Sequence, residues 1–209
     1  MRVSIRGRVF LAGTCILAGV TAWGQSIPNP TKQNPVSIDL GATYAPERSE
    51  IVPGNCCFWM QGGGADAAVT FWKGFGIAAA LTGDHASSVA SGIDINKMTF
   101  MGGPRYTYTG HTGAAATPRY QISAQGLFGG VHGFDGLYPE GSAVTSSASG
   151  FALQAGGGFD YYLTKHWGLR LFEANYVRTD LPNNAADVQN DLRLSFGVVY
   201  HIGAVRLHR

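Results

Sequence analysis

In the stretch LRLSFGVVYHI, from Leu192 to Ile202, every second residue is large and apolar, and the residues between them are polar or small except for Val199. Large apolar residues occupy every second position, and residues such as Arg193 and Ser195 lie between them. Successive side chains of a β-strand point to opposite faces, so this strand has one apolar face and one face that tolerates charge. The stretch therefore predicts a strand that separates an apolar environment from a polar one.

The same alternation returns about eight times along the chain. The predicted strands cover residues 36–44, 57–71, 75–85, 93–108, 119–131, 150–163, 168–179 and 192–202. Tight turns are predicted at 72–74 and 165–167, and polar or Gly-rich loops at 45–55, 86–92, 109–118, 132–149 and 181–190. The seventh strand keeps its apolar residues on one face only if a β-bulge lies near Leu171.

The first 24 residues have the layout of a secretory signal. A basic start precedes an apolar core at residues 9–20 and a small-x-small cleavage site at 22–24. We expect the mature chain to begin near Gln25, with a flexible lead over 25–35, the folded domain over 36–203 and a short tail over 204–209. The signal holds three Arg and no acidic residue, so removing it changes the formal charge from +2 to −1. That balance argues against nucleic-acid binding, which needs a clustered basic surface.

Charged residues make up only 13% of the chain, roughly half the share usual in soluble domains. Several of them share the polar faces of the predicted strands: Asp39, Asp66, Lys97, Arg105, Asp160, Glu173 and Arg193. In a soluble sandwich or a lipocalin-like barrel these charges would be stranded in an apolar core, whereas a polar lumen allows them to pair. The sequence therefore predicts an all-β fold, an eight-stranded antiparallel up-and-down transmembrane β-barrel. We expect the interior to be filled by side chains and to leave no wide pore.

Three motifs add a family resemblance to this pattern. They are Gly-Pro-Arg-Tyr at 103–106, Gln-Gly-Leu-Phe-Gly-Gly at 125–130 and Phe-Gly-Val-Val-Tyr-His-Ile-Gly at 196–203. With the signal and the eight strands, they resemble the OmpA/OmpX-like outer-membrane β-barrel domain family. The resemblance implies a location in the bacterial outer membrane and insertion by the outer-membrane assembly machinery, which reads a final strand like 192–202. Outer-membrane lipids and lipopolysaccharide are then the expected surroundings, and we expect a monomer.

Family members have varied roles, so three functions stay open. The leading one is a non-enzymatic structural or surface-interaction protein whose contact surface is formed by loops 45–55 and 132–149. The second is a narrow conduit for small solutes, opened when the lumen charges re-pair. The third is a lipid A-modifying enzyme, because His85 and Ser87 resemble the His-x-Ser pair of outer-membrane lipid A deacylases, with Asp84 or Glu140 as a third group.

Two further features have mainly structural interpretations. Cys56 and Cys57 are the only cysteines left after signal removal, and in an oxidising compartment they form a vicinal disulfide or pair between molecules. Their spacing does not indicate a metal site, and no motif indicates a cofactor. The Gly runs at 62–64 and 156–158 lack the following helix of a phosphate loop, so we expect them to relieve crowding inside the barrel.

Overall fold

The computed structural model describes residues 36–49, 58–90, 93–111, 119–140, 143–183 and 187–205, and within these ranges the chain forms β-strands joined by short connections. The strands are β1 (Val36–Tyr44), β2 (Glu47–Ser49), β3 (Phe58–Trp72), β4 (Phe75–Ala90), β5 (Ile93–His111), β6 (Arg119–Glu140), β7 (Ala143–Tyr162), β8 (Trp167–Thr179) and β9 (Gln189–Val205). None of the described residues forms a helix that is long and apolar enough to cross a membrane.

All neighbouring strands are antiparallel, and the sheet closes on itself because β1 pairs with both β3 and β9. β1 and β2 both pair with β3 and β9, so together they occupy one strand position of the barrel wall, called here a stave, which is interrupted at Ala45 and Pro46. Proline has no N–H to give to the ladder, but the Pro46 carbonyl still accepts a hydrogen bond of 3.0 Å from the Leu194 N–H. The ring therefore has eight staves, which confirms the predicted eight-stranded antiparallel barrel.

The register shows how steeply the strands tilt. Each residue pairs with one on the next strand, so a path of partners can be followed once around the barrel. The path that starts at Ser37 passes through Thr70, Gly76, Arg105, Gln125, Gly156, Asn175 and Arg193, and it ends at Glu47. The path re-enters the first stave ten residues further along the chain. An eight-stranded barrel with this displacement has strands tilted by roughly 40° and an interior just wide enough for side chains to fill.

All five predicted loops are wrong in part, although 109–118 and 181–190 only at one end, where β5 continues to His111 and β9 begins at Gln189. β4 and β5 leave only residues 91–92 between them, and β6 and β7 leave only 141–142, so most of 86–92 and 132–149 is strand. These strand extensions are rich in Ser, Ala and Gly and lack a regular alternation of large apolar residues, which is why their sequence predicts loops. Within 45–55, residues 47–49 form β2, where Glu47 and Ser49 are buried instead of forming a contact surface.

β8 contains the bulge that its sequence required. The register of β8 against β9 shifts between Arg170 and Glu173, and Leu171 and Phe172 both face outward, 48% and 53% exposed. Arg170 and Glu173 both face inward as a result. The extra residue thus keeps Leu171 and Phe172 outside and both Arg170 and Glu173 inside.

Glycines make room for the lumen charges, as expected for crowded positions. A Cβ atom added at Gly41 would overlap the Asp66 carboxylate, and one added at Gly156 would overlap the Asn175 side chain and the Ala174 backbone. Both glycines face strands that carry large polar side chains into the lumen. The close approach therefore depends on the missing side chain.

Candidate functional site

The outer surface of the barrel is a belt of exposed apolar side chains. It includes Leu40, Ile77, Leu81, Phe100, Ile122, Phe128, Leu169, Phe196 and Val198. One end of the barrel, called here the turn end, holds the β3–β4 turn, the β7–β8 turn and the paired residues Val36 and Val205. Aromatic rings pack side by side at this end. Phe75 lies 5.0 Å from Tyr106, and Trp167 lies 4.9 Å from Tyr200, between ring centroids. Such rings are typical of a membrane interface.

All seven charged residues of the predicted lumen set lie inside the barrel. Six of them are at most 6% exposed, and the Asp66 side chain is 13% exposed. The charged side chains therefore lie in the interior, beside smaller clusters of buried apolar residues, while the exterior is apolar; a soluble protein would place its charges on the exterior. Together with the closed ring of eight strands, this arrangement defines a small membrane-spanning β-barrel.

The charges nearest the opposite end, called here the loop end, form one network. Lys97 contacts Glu47 and lies 3.2 Å from Asp191. Arg193 Nη2 lies 2.6 Å from Glu47 Oε2 and 2.8 Å from Asp84 Oδ2. Two cations thus hold three carboxylates across the width of the lumen. This upper network joins β2, β4, β5 and β9 and closes the interior below the loop end.

A second network fills the middle of the lumen around Arg170. Its guanidinium lies 2.7 Å from Asp66, 3.0 Å from Asp160 and 2.8 Å from Glu173. Arg105 contacts the same Asp66 and Asp160 carboxylates only at 3.7 and 3.9 Å, and its Nε and Nη2 atoms have no hydrogen-bond partner. Arg170 is therefore the main counter-ion of this middle network, and Arg105 is a looser one.

A third group closes the lumen at the turn end. His201 Nδ1 lies 2.5 Å from Asp39 Oδ1, and the Tyr162 hydroxyl lies 3.2 Å from the same oxygen and 3.1 Å from Gln121. The Arg119 guanidinium stacks over the Tyr162 ring at 4.4 Å. Since Tyr162 is completely buried, this group occupies the centre of the barrel near its mouth.

Four residues of these networks were missing from the predicted lumen set. Glu47 lies in a segment predicted as a loop, and Asp191 immediately precedes the predicted last strand. Arg170 lies beside the bulge, where simple alternation fails. Asp84 lies on the polar face of its strand, so the alternation of that strand was sufficient to predict its place in the lumen. The full lumen therefore contains more carboxylates than Lys and Arg side chains.

The residues of the other functional hypotheses are placed as follows. His85 and Ser87 are both exposed on the outer face of β4, and His85 Nδ1 lies 2.8 Å from Asn96 Oδ1. The Asp84 carboxylate points the opposite way, into the lumen, where it pairs with Arg193. Cys56 and Cys57 lie outside the described residues, as does the side chain of Glu140.

A scan against protein-family models finds no matching family, and a search of curated protein sequences finds no significant match. Solved structures do match. The chain is similar to Ail, the attachment invasion locus protein of Yersinia pestis, with a TM-score of 0.50 and 16% identity over 82% of this chain and 100% of that chain. It is also similar to Neisserial surface protein A, with a TM-score of 0.53 and 15% identity over 79% of this chain and 96% of that chain. At this level of identity the likeness shows the barrel fold, and membership in the OmpA/OmpX-like family stays a prediction.

Proposed function

We propose that the protein is a small bacterial outer-membrane β-barrel with a structural or surface-interaction role, without an open pore and without enzymatic activity. The observation that carries this proposal is the lumen itself, which three groups of paired, buried side chains cross from one wall to the other. An apolar exterior and an ionic interior suit a barrel surrounded by lipid. Fold-level likeness to outer-membrane proteins supports the same location.

The surface available for interaction lies at the loop end. β7 pairs with β6 along almost its whole length but with β8 only from Ala152 onward, so β6 and β7 extend beyond the neighbouring staves. On this extension Leu137 and Val144 are 59% and 62% exposed. Exposed apolar side chains on paired strands are suited to contact a partner. This extension replaces the predicted loop 132–149 as the proposed contact surface.

Location and architecture are tested by membrane fractionation followed by gel electrophoresis of unboiled and boiled samples. We expect the protein in the outer-membrane fraction, with a folded band that shifts on boiling. We propose that outer-membrane lipids and lipopolysaccharide surround the folded barrel, that the assembly machinery inserts it, and that it is a monomer. Recovery of the processed chain as a detergent-free soluble protein would contradict the proposal.

A narrow conduit is the second candidate, and one observation favours it. A cavity of about 20 Å³ lies between the middle and upper networks, lined by residues that include Asp66, Arg170, Glu173 and Arg193. That volume has room for about one water molecule. Planar-bilayer recording separates the two functions: a closed barrel gives no stable conductance. A stable conductance that disappears in Arg193→Gln would favour the conduit instead.

We propose that His85 and Ser87 have no catalytic role, because a Ser nucleophile needs a base that is oriented by a third group. Asp84 lies on the other side of the barrel wall from His85, and His85 Nδ1 lies against the Asn96 side-chain oxygen and not against a carboxylate. Mass spectrometry of lipid A from cells with the wild-type protein and with Ser87→Ala tests this directly. We expect identical acyl patterns, and an acyl chain retained only in the variant would contradict the proposal.

A further inference from the structure

Basic residues mark the turn end of the barrel. Lys73 lies in the β3–β4 turn, Lys165 and His166 lie in the β7–β8 turn, and Arg119 begins β6. Residues 71–76, 109–120 and 162–168, which connect the strands at this end, contain no Asp or Glu. The turn end is therefore a rim of positive charge.

These cations are not neutralised within the described part of the chain, where no ion pair involves Lys73, Arg119 or Lys165. Their contacts are with rings and backbone. Lys73 Nζ lies 5.4 Å from the centre of the exposed Trp72 ring. Arg119 donates a hydrogen bond of 3.2 Å to the Lys165 carbonyl, which brings two of the cations together. The charges of the exposed Lys73 and Lys165 side chains are thus available to an external anion, whereas the Arg119 guanidinium faces the Tyr162 ring at the mouth of the lumen.

The loop end has the opposite balance. Its sequence carries Asp94, Asp135, Glu140, Asp180 and Asp187. Arg178, one of the few cations there, lies 3.5 Å from Asp180. The barrel is therefore polarised along its axis, positive at the turn end and negative at the loop end. A partner selected by charge at the turn end must be anionic.

The position of the cations along the barrel axis indicates which kind of anion they meet. Lys73 contacts Trp72, and the ring of His166, the residue next to Lys165, stacks on Tyr200 with centroids 5.8 Å apart. Trp72 and Tyr200 belong to the aromatic group at the turn end, and aromatic rings of this kind lie at the level of lipid head groups. Cations at that level meet lipid phosphates, whereas a periplasmic polymer would contact groups that project beyond the rings.

We propose that the turn end binds the phosphate groups of anionic phospholipids in the inner leaflet of the outer membrane, with Lys73 on one side of the barrel and Lys165 on another. This inference rests on the proposed function, because it requires that the barrel span the outer membrane with its termini and short turns in the periplasm. The positive rim attracts the anionic lipid, and the adjacent rings pack against its glycerol and upper acyl region.

Native mass spectrometry of the folded, detergent-solubilised protein tests the proposal. The protein is mixed with equal amounts of phosphatidylglycerol and phosphatidylcholine, and the ratio of the two adducts is measured. We expect wild type to favour phosphatidylglycerol, and Lys73→Gln/Lys165→Gln to lower the ratio by roughly fivefold for each cation removed. Arg48→Gln/Arg178→Gln is the matched control, since it removes the same charge at the loop end, and its ratio should stay within about twofold of wild type.

Both positions of the first variant are exposed turn residues, and the single variants Lys73→Gln and Lys165→Gln provide a second measurement if the double variant does not fold. Equal adduct ratios for wild type, or an equal fall in both double variants, would overturn the proposal. So would an unchanged lipid ratio accompanied by loss of co-sedimentation with purified peptidoglycan, which would identify the polymer as the anion. If the wild-type barrel fractionates with the outer membrane in any of these cases, only this inference fails and the proposed function stands.

Discussion

Replacing Arg170 with methionine tests whether the middle network holds the barrel closed. The guanidinium contacts Asp66, Asp160 and Glu173 at 2.7 to 3.0 Å, and it is only 3% exposed. Methionine preserves much of the side-chain volume but leaves three buried carboxylates without their main counter-ion. Breaking a buried pair in this way costs about 3–5 kcal/mol. We expect Arg170→Met to lower the free energy of unfolding by that amount.

Equilibrium urea unfolding of the protein from lipid vesicles, followed by tryptophan fluorescence, measures the change. Arg105→Met is the matched control, because Arg105 is equally buried but contacts its carboxylates only at 3.7 and 3.9 Å. It should cost clearly less than Arg170→Met. Adding Asp160→Asn to Arg170→Met should recover part of the loss, since one unpaired charge is removed. If Arg170→Met costs less than about 1 kcal/mol, comparable to an exposed pair, the lumen does not depend on this network.

Two further substitutions probe the barrel wall. Gly41→Ala forces the Asp66 carboxylate to move and should lower the free energy of unfolding in urea by about 1–3 kcal/mol. Gly83→Ala is the control, because its Cβ meets nothing within 4 Å, and it should leave that free energy almost unchanged. Equal effects would contradict the crowding argument. Phe196→Arg places a charge in the apolar belt and should cost about 2–4 kcal/mol in vesicles, while Leu137→Arg, on the extension at the loop end, should stay within about 0.5 kcal/mol of wild type. Equal costs for the two Arg substitutions would contradict a lipid-facing belt.

The barrel architecture was predictable because it depends on a property of every strand, the alternation of side chains between two environments. The stretch 192–202 shows it with Val199 as its one apolar residue on the inward face, and β1 begins and ends where the alternation does. The ends of β6 and β7 were not predictable in the same way. Beyond the apolar belt the outward face of a strand no longer meets lipid, so selection for outward apolar residues weakens and segments rich in Gly and Ser can still pair. Loop length inferred from composition was therefore too large at the loop end.

The lumen charges were predictable as a set but not as pairs. Parity alone assigns Asp66 and Arg105 to the interior, since their strands alternate regularly. The partner of each depends on the shear of the barrel, the offset along the chain that builds up from strand to strand. In one circuit of the barrel this offset reaches ten residues, from Ser37 to Glu47. This displacement brings Glu47, from a segment read as a loop, beside Lys97 on a distant strand. No local pattern contains that information.

Arg170 shows how backbone register and electrostatics depend on each other. Arg170 and Glu173 are three residues apart, so in a regular strand they would point to opposite faces and one charge would lie among lipid chains. The extra residue at the bulge reverses the parity between them and brings both into the lumen, where Arg170 Nη1 lies 2.8 Å from Glu173 Oε2. Leu171 and Phe172 are then neighbours in sequence that both face outward. One inserted residue thus prevents exposure of a charge to lipid and supplies the counter-ion of the middle network, so the bulge is part of the mechanism that closes the lumen.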